Sequence, residues 1–227
     1  MANGEWRVGE LNVYTYHLSY HIISYLLPSP RSPVLSPRFF PIFAPDMRQL
    51  TLIDSKLLHL IITRLSCQLI ENHNDFSNAV IIGMQPRGVL LAERIVEQLQ
   101  VMQPKVKIPY GVVDPTFYRD DFRIHDKPLI ARKTDIPFSL EGKHVIFIDD
   151  VLYTGRTIRA GLEGIMEYGR PEAVELLVLV ERRFTRELPI EPKYIGKSVD
   201  SYDNQQVRVM WKGDSGEDKV ILLTEKP

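Results

Sequence analysis

Features of secreted and membrane proteins are scarce in this sequence. Cys67 is the one cysteine among 227 residues, so no disulfide can form within the chain, and the spacing of cysteine and histidine offers no structural zinc site. We therefore expect a reducing, cytoplasmic environment. The longest apolar stretch near the start, residues 18–27, is interrupted by polar side chains and is far shorter than the roughly 20 residues that a membrane span needs. No basic cluster precedes it, so we predict neither a membrane span nor a secretory signal.

The sequence also lacks an excess of either charge. Its 28 lysines and arginines face 29 aspartates and glutamates, which gives a formal net charge of −1. Without a net positive charge, contact with nucleic acid would need a local basic patch. The 44% of hydrophobic residues is typical of one or two ordinary globular domains with a full core.

Proline is concentrated near the start of the chain. Six prolines stand within residues 28–45: Pro28, Pro30, Pro33, Pro37, Pro41 and Pro45. Because each lacks a backbone donor, this density prevents a helix or an interior strand. We therefore expect residues 1–46 to be a disordered extension and residues 47–227 to form the folded domain.

Apolar residues in the folded region alternate between helical and strand patterns. Helices are predicted at residues 54–71, 89–100 and 156–168, and strands at residues 78–84, 144–150 and 173–180. Asp54 is the predicted N-cap of the first helix. Strands that are apolar along their length and alternate with helices predict an open, doubly wound α/β fold, in which helices cover a parallel sheet.

Two further segments stand apart from this alternation. Residues 104–137 lack helical periodicity over a length that usually marks a functional lid or a hairpin; if the segment is a lid, its mobile loop would span about 114–130. Short strands are predicted at residues 194–195, 206–211 and 219–223. They would form a small cap around the sheet, with a hood at about 182–200.

The stretch with the clearest chemical content runs from Val145 to Thr157. It reads Val-Ile-Phe-Ile-Asp-Asp-Val-Leu-Tyr-Thr-Gly-Arg-Thr. Asp149 and Asp150 stand at the carboxyl end of a predicted parallel strand, where ligands bind in open α/β sheets. The turn that follows offers hydroxyls and backbone N–H groups at the start of a helix, which suit a phosphate. An Asp-Asp pair alone is more often a solvated turn, but the ordered whole predicts a pocket for a phosphorylated sugar, whose hydroxyls the carboxylates would bind directly or through a metal.

This stretch resembles the phosphoribosyl pyrophosphate (PRPP) signature of type I phosphoribosyltransferases. Residues 169–171 (Gly-Arg-Pro), 186–190 (Arg-Glu-Leu-Pro-Ile) and 194–197 (Tyr-Ile-Gly-Lys) are similar to the bifunctional pyrimidine operon regulators with uracil phosphoribosyltransferase activity. The resemblance covers Met47 to the C-terminus. It implies the type I phosphoribosyltransferase fold, formation of UMP and pyrophosphate from uracil and PRPP, Mg²⁺ as cofactor, and a homo-oligomer.

The resemblance also implies roles for individual residues. Asp149 and Asp150 would bind the ribose hydroxyls and Mg²⁺, directly or through water, and the turn after them would bind the 5′-phosphate. Arg87 and Arg119 would contact the departing pyrophosphate. The implied catalytic residues are Arg87, Arg119, Asp149 and Asp150, and the implied PRPP-binding residues are Gln85, Pro86, Arg87, Asp149, Asp150, Val151, Leu152, Tyr153, Thr154, Gly155, Arg156 and Thr157. Gln85-Pro86 stands where the family more often has Lys-Thr.

Ordinary structural roles are the alternatives for two of these assignments. Arg87 could be a solvated surface charge, and the stretch around Arg119 could belong to a structural hairpin. Displacement at the anomeric carbon through an oxocarbenium-like transition state needs no nucleophilic side chain, so the lack of a Ser-His-Asp or Cys-His arrangement is expected. The base site would lie beneath residues 182–195, and Cys67 is expected to be a packing residue of the first helix.

The second activity of the family is UMP-dependent binding of pyrimidine operon leader RNA, which promotes transcription attenuation. Of the RNA-binding residues of the family, the chain keeps Thr63, Arg64 and Lys197. Cys67, Asn72 and Glu191 stand where the family has His, Arg and a basic residue, and each lost phosphate contact weakens binding. Compensation by stacking or charge could come from Arg182, Arg183 and Phe184.

Three functions therefore stay open. The first is a uracil phosphoribosyltransferase of the regulator type. The second is an RNA-binding attenuator that uses the pocket mainly to sense UMP. The third is a purine-type phosphoribosyltransferase with the same PRPP site, which competition between bases would separate from the first.

Overall fold

A computed structural model describes residues 48–120 and 131–224 of the chain. The extension predicted at 1–46 and most of the predicted mobile loop lie outside these residues. The strands are β1 (Arg48–Ile53), β2 (Ala79–Met84), β3 (Tyr110–Val113), β4 (His144–Leu152), β5 (Ala173–Arg183), β6 (Tyr194–Asp200), β7 (Gln205–Met210) and β8 (Lys219–Thr224). The helices are α1 (Ser55–His73), α2 (Gly88–Met102) and α3 (Arg156–Ile165), with short helical turns at Thr116–Tyr118, Met166–Tyr168 and Lys212–Ser215.

Five parallel strands form the central sheet, in the order β3-β2-β4-β5-β6. All six residues of β2 and seven of the nine in β4 are buried, because helices cover both faces of the sheet. The buried residues of α1 and α2 belong to one hydrophobic cluster and those of α3 to another. The predicted α/β class and the open parallel sheet are therefore confirmed.

The chain changes direction across the sheet between β2 and β4. From β2 it passes through α2 to β3 at one edge, whereas β4, β5 and β6 follow on the other side of β2. In open α/β sheets, ligands bind at such a switch point, beyond the carboxyl ends of the two strands. The turn after β2 and the carboxylates of β4 meet at this place.

A separate antiparallel sheet has the order β1-β8-β7. The strand near residue 194 was expected in the cap, and this prediction is wrong: β6 pairs in parallel with β5. Tyr194 and Val199 of β6 are buried in the main core, which holds this strand in the central sheet. β1 was not predicted; its short Gln-Leu-Thr-Leu alternation stands next to the proline-rich segment, and its first four residues are exposed.

Helix α1 begins as the sequence predicts. The side chain of Asp54 accepts a hydrogen bond from the backbone N–H of Leu57 at 2.8 Å, which satisfies one of the free donors of the first turn. Cys67 is exposed, so its expected packing role is wrong; it lies on the helix face opposite the buried residues. Within residues 48–120 and 131–224, no helix is long and apolar enough to cross a membrane.

Candidate active site

Strand β4 carries the two predicted carboxylates into the interior. Asp149 is 8% exposed and Asp150 is 6% exposed, and the backbone N–H of Asp150 donates to Oδ1 of Asp149 at 2.9 Å. Burial raises the pKa of both carboxyls, and the charge of Asp150 raises the pKa of Asp149 further. Two adjacent acids in a low dielectric therefore favour a cation beside them.

Arg87 joins the turn after β2 to these acids. Its Nε donates to Oδ2 of Asp150 at 2.8 Å, and its Nη2 donates to the backbone carbonyl of Val209 in the small sheet. The guanidinium lowers the pKa of Asp150 in opposition to burial. Arg87 therefore links the turn after β2 to β4 and to the small sheet, while 45% of its side chain is exposed.

Gly88 allows α2 to begin directly against β4. A Cβ atom at this position would lie 2.4 Å from the carbonyl oxygen of Ile148 and 2.9 Å from the Cα of Asp149. The peptide bond between Gln85 and Pro86, just before this helix, is cis. The close approach places the N-terminus of a 15-residue helix, which favours anions, beside the carboxylates.

The phosphate turn, residues 154–157, follows β4 and leads into α3. Gly155 has φ of +92°, a left-handed conformation that suits glycine, and α3 begins at the next residue. The first amides of a helix have no acceptor within it, so this end can bind an anion. Leu152 is buried in the core, which leaves its backbone as the part that could face a ligand.

Two cavities meet at Thr157. The larger has a volume of about 960 Å³ and is lined by Arg87, Asp150, Val151, Tyr153, Thr157, Arg182, Asp203, Asn204, Gln205, Gln206, Val207, Arg208 and Leu223. The smaller has a volume of about 270 Å³ and is lined by Gln85, Pro86, Asp114, Pro115, Thr116, Arg119, Arg132 and Thr157. The fold therefore brings Arg119, the turn after β2, Asp150 and Thr157 to one region, whereas Asp149 and residues 152 and 154–156 line neither cavity.

Arg182 was predicted as a charge that could compensate for lost RNA contacts, and this prediction is wrong. The residue is 5% exposed, and its Nε donates to Oγ of Ser201 at 2.7 Å. Its Nη2 donates to the carbonyls of Tyr202 and Gln205, at 3.1 and 2.9 Å. Its guanidinium lies 4.0 Å from the ring centre of Tyr153. Arg182 thus fixes the loop after β6 beside the cleft.

One wall of the cleft, residues 203–208, was missed by the sequence analysis. These residues were predicted in part as a strand of a small cap, and no motif marked them as part of a site. Their position depends on how the small sheet sits against the central sheet, which periodicity does not reveal. The available signal was Arg182 itself, a charged residue at the end of an apolar strand.

The retained RNA-binding candidates lie apart from these cavities. Arg64 donates to the carbonyls of Ile195 and Gly196, at 2.9 and 2.8 Å, and Lys197 donates to that of Leu52 at 2.9 Å. Among the other candidates, Arg183 pairs with Asp200 at 2.6 Å, Thr63 is half-buried, and Phe184 is 77% exposed. Arg64 and Lys197 therefore hold α1 and β1 against β6.

Comparison with known proteins decides the family. The model of the phosphoribosyl transferase domain matches residues 49–212. The chain belongs to the phosphoribosyltransferase family. It is 46% identical to the Bifunctional protein PyrR of Microcystis aeruginosa over 163 residues, which cover 71% of this chain and 90% of that protein. It is 44% identical to the Bifunctional protein PyrR of Synechocystis over 162 residues, which cover 71% and 89%.

Solved structures agree on the fold. A hypoxanthine phosphoribosyltransferase of Trypanosoma cruzi superposes with a TM-score of 0.58 at 14% identity, over 78% of this chain and 97% of that one. A hypoxanthine phosphoribosyltransferase of Staphylococcus aureus gives 0.57 at 20% identity, over 78% and 93%. At these identities the likeness shows the fold alone. The PyrR relatives confirm the family that the sequence resembles, and they favour it over the purine-type alternative.

Proposed function

We propose that the cleft beyond β2 and β4 transfers ribose 5-phosphate from PRPP to uracil, forming UMP and pyrophosphate. The observation that carries this proposal is the meeting of two buried carboxylates with two helix N-termini at the switch point of the sheet. PRPP has a sugar between two phosphate groups. The two carboxylates would bind the sugar hydroxyls, and the N-termini of α2 and α3 would each face one phosphate group. This arrangement matches the order of groups in PRPP.

The phosphate turn would bind the 5′-phosphate, and Asp149 and Asp150 would bind the ribose hydroxyls. Pyrophosphate would then lie toward Arg87 and the smaller cavity, where Arg119 and Arg132 supply positive charge. A bond forms between a uracil nitrogen and the anomeric carbon while the bond from that carbon to the pyrophosphate oxygen breaks, and the proton of that nitrogen passes to water or to the released pyrophosphate. Arginines around the departing anion and alignment of base with sugar would supply the rate enhancement, without a side-chain nucleophile.

Asp149 and Asp150 fit a magnesium ion. Their oxygens are hard ligands, and their burial side by side favours a cation, as the raised pKa values of both acids reflect. Across residues 48–120 and 131–224, no three acidic, histidine or cysteine side chains are grouped as a metal site. Mg²⁺ needs just one or two carboxylates when substrate oxygens and water complete its shell. When bound, it supplies positive charge that neutralises pyrophosphate oxygens.

The proposed base site is the wall of the larger cavity formed by Tyr153, Arg182 and residues 203–206. Arg182 is bonded to the loop after β6 and stacks on Tyr153, so it would hold both parts of this wall in place. Polar groups at residues 203–206 would read the edge of uracil. We propose a cytoplasmic location, which the single cysteine supports because disulfides are rare in that reducing compartment. A homo-oligomer stays a prediction from the resemblance.

The test is release of pyrophosphate from PRPP and Mg²⁺ in the presence of uracil, hypoxanthine, guanine or orotate. We expect release with uracil alone. Release with hypoxanthine or guanine and not with uracil would reject the pyrimidine assignment in favour of the purine-type enzyme. Strong RNA affinity together with negligible release for every base would favour the regulator that only senses UMP.

The bifunctional relatives favour RNA binding as a second activity. We propose that it is weaker than a free basic face would give, because Arg64 and Lys197 are bonded to backbone carbonyls. Filter binding with pyrimidine operon leader RNA, with and without UMP, tests this. UMP-dependent binding at low salt supports the second activity, and no binding even at low salt rejects it.

A further inference from the structure

Arg156 stands in the phosphate turn, but its side chain is bonded to two acids from other segments. Its Nη1 lies 2.5 Å from Oδ2 of Asp120, and its Nε lies 2.5 Å from Oε2 of Glu187. Arg159 also lies 3.9 Å from Asp120 and is paired with Glu163 at 2.6 Å, so these two cations and three carboxylates carry a local charge of −1. A phosphate dianion approaching this guanidinium would meet net repulsion, so the arrangement does not suit direct phosphate binding.

Glu187 belongs to a backing segment, residues 186–190, that holds the phosphate turn from behind. The backbone N–H groups of Glu187 and Leu188 both donate to the carbonyl of Thr154, at 3.0 and 3.2 Å. Arg186 donates to the carbonyl of Tyr153 at 2.5 Å. The hydrogen bond between Glu187 and Arg156 adds to these contacts. Together they orient the backbone of the phosphate turn.

Asp120 belongs to the segment that contains Arg119. This segment rests on α3 and on the helical turn after it: Arg159 of α3 donates to the carbonyl of Tyr118 at 2.9 Å, and the hydroxyl of Tyr118 donates to Glu167 of the turn at 2.5 Å. The bond to Glu167 raises the pKa of Tyr118 to about 12. The contact between Arg156 and Asp120 therefore fixes the Arg119 segment at the end of α3 that adjoins the phosphate turn.

We infer that Arg156 is a positioning residue that joins the phosphate turn to the backing segment through Glu187 and to the Arg119 segment through Asp120. The inference rests on the proposed function, because it assigns the turn to the 5′-phosphate of PRPP and UMP. The Glu187 contact orients the amides that bind the 5′-phosphate, which both PRPP and UMP carry. The Asp120 contact places Arg119 for the pyrophosphate group, which PRPP carries and UMP lacks.

The direction in which Glu187→Ala changes UMP affinity separates this role from direct phosphate binding. If Arg156 binds the phosphate itself, Glu187→Ala frees its guanidinium and tightens UMP binding. If Arg156 is a positioning residue, Glu187→Ala weakens UMP binding by about tenfold, the usual size for losing an outer partner of a ligand-binding group. Glu187→Gln, which keeps an acceptor oxygen, should restore part of the affinity, and Glu191→Ala, an exposed acid of the same region, should change nothing.

The experiment is calorimetric titration of each variant with UMP in the presence of Mg²⁺. Pyrophosphate release is the second readout. We expect Arg156→Ala, Glu187→Ala and the double variant to lose similar affinity, since they break the same contact. Asp120→Ala should raise the KM for PRPP or lower kcat while the Kd for UMP stays within about twofold.

Tighter UMP binding in Glu187→Ala, or fully additive losses in the double variant, would overturn the inference. A change in UMP affinity for Asp120→Ala equal to that for Glu187→Ala would overturn the assigned division between the two contacts. Failure of the wild-type protein to bind UMP at all would instead reject the proposed function. Melting temperatures of all variants identify any that do not fold, and Glu187→Gln then serves in place of Glu187→Ala.

Discussion

The two ends of the central sheet both hold carboxylates with little exposure to solvent, but in different surroundings. At the amino end, Glu175 of β5 accepts hydrogen bonds from Nζ of Lys193 at 2.6 Å and from the hydroxyl of Tyr194 at 2.7 Å. Nε2 of His73 lies 2.9 Å from the same carboxylate. Burial alone would raise the pKa of Glu175, but these hydrogen bonds outweigh burial and lower it.

At the carboxyl end, the fold supplies too few hydrogen-bond donors to offset the burial of Asp149 and Asp150. Burial raises the pKa of both Asp149 and Asp150, and Arg87 is bonded to Asp150 at 2.8 Å. Hydrogen bonds from the fold lower the pKa of an acid such as Glu175. An acid with a lowered pKa stabilises the native state when it is ionised. Adjacent buried acids with one bonded arginine cost stability, and a bound cation would offset that cost. The difference is consistent with a structural role for the amino end and supports the proposed site at the carboxyl end.

The largest expected effect comes from removing the acids at the carboxyl end. Asp149→Asn together with Asp150→Asn should lower the rate of pyrophosphate release by about 10³-fold, because the sugar and metal ligands are lost. The melting temperature should stay the same or rise, since two like charges leave the interior. Asp135→Asn, at an exposed acid paired with Lys133, is the matched control and should change neither quantity. A double variant that does not fold would show that these acids are structural after all.

Gly88→Ala tests whether the carboxyl end depends on the close approach of α2. The added Cβ would meet backbone atoms of Ile148 and Asp149, which cannot rotate away. We expect the free energy of unfolding to fall by about 1–3 kcal/mol, together with a loss of PRPP turnover. Gly213→Ala, where a Cβ would meet nothing within 4 Å, is the control for urea unfolding. Equal stability of the two variants would contradict the proposed packing.

Glu175→Gln should produce the opposite pattern at the amino end. Loss of the charge weakens the hydrogen bonds from Lys193 and Tyr194, and we expect the free energy of unfolding to fall by about 2 kcal/mol while kcat is unchanged. Urea unfolding and pyrophosphate release measure the two quantities. Glu172→Gln, at an exposed acid 3.4 Å from His144, should cost about 0.5 kcal/mol or less. A fall in kcat for Glu175→Gln would mean that the two ends are not independent.

The smallest expected effect is the pH dependence of the Glu175 contribution. The pKa of Glu175 is lowered from its ordinary value of 4.5, so the contribution is fully present above that value and is lost as the pH falls through the lower folded pKa. The gap in unfolding free energy between the wild-type protein and Glu175→Gln should therefore be constant near pH 7 and shrink below pH 4.5. A gap that widens on acidification would reverse the assigned sign.

Local sequence rules were sufficient for the elements whose pattern repeats along the chain. The apolar positions of α1 and its cap Asp54 follow from helical periodicity, and the buried strands β2 and β4 follow from continuous apolar runs. The family followed from the Val145–Thr157 stretch, because its chemistry lies in one continuous segment. These features depend on residues that are close together along the chain, so they can be read from the sequence directly.

The sequence by itself therefore determined the α/β class, the family and the pair of acids at the end of β4. The tertiary structure decided which sheet β6 joins, the exposure of Cys67, and the partners of Arg64, Arg156 and Arg182. The physical reason is the same in each case. A charged side chain binds whatever acceptors the fold places within reach, and those acceptors come from segments far away along the chain. The carboxylates beside Arg156 and the carbonyls beside Arg64 come from such distant segments, so their hydrogen bonds are found in the tertiary structure and not in the local sequence.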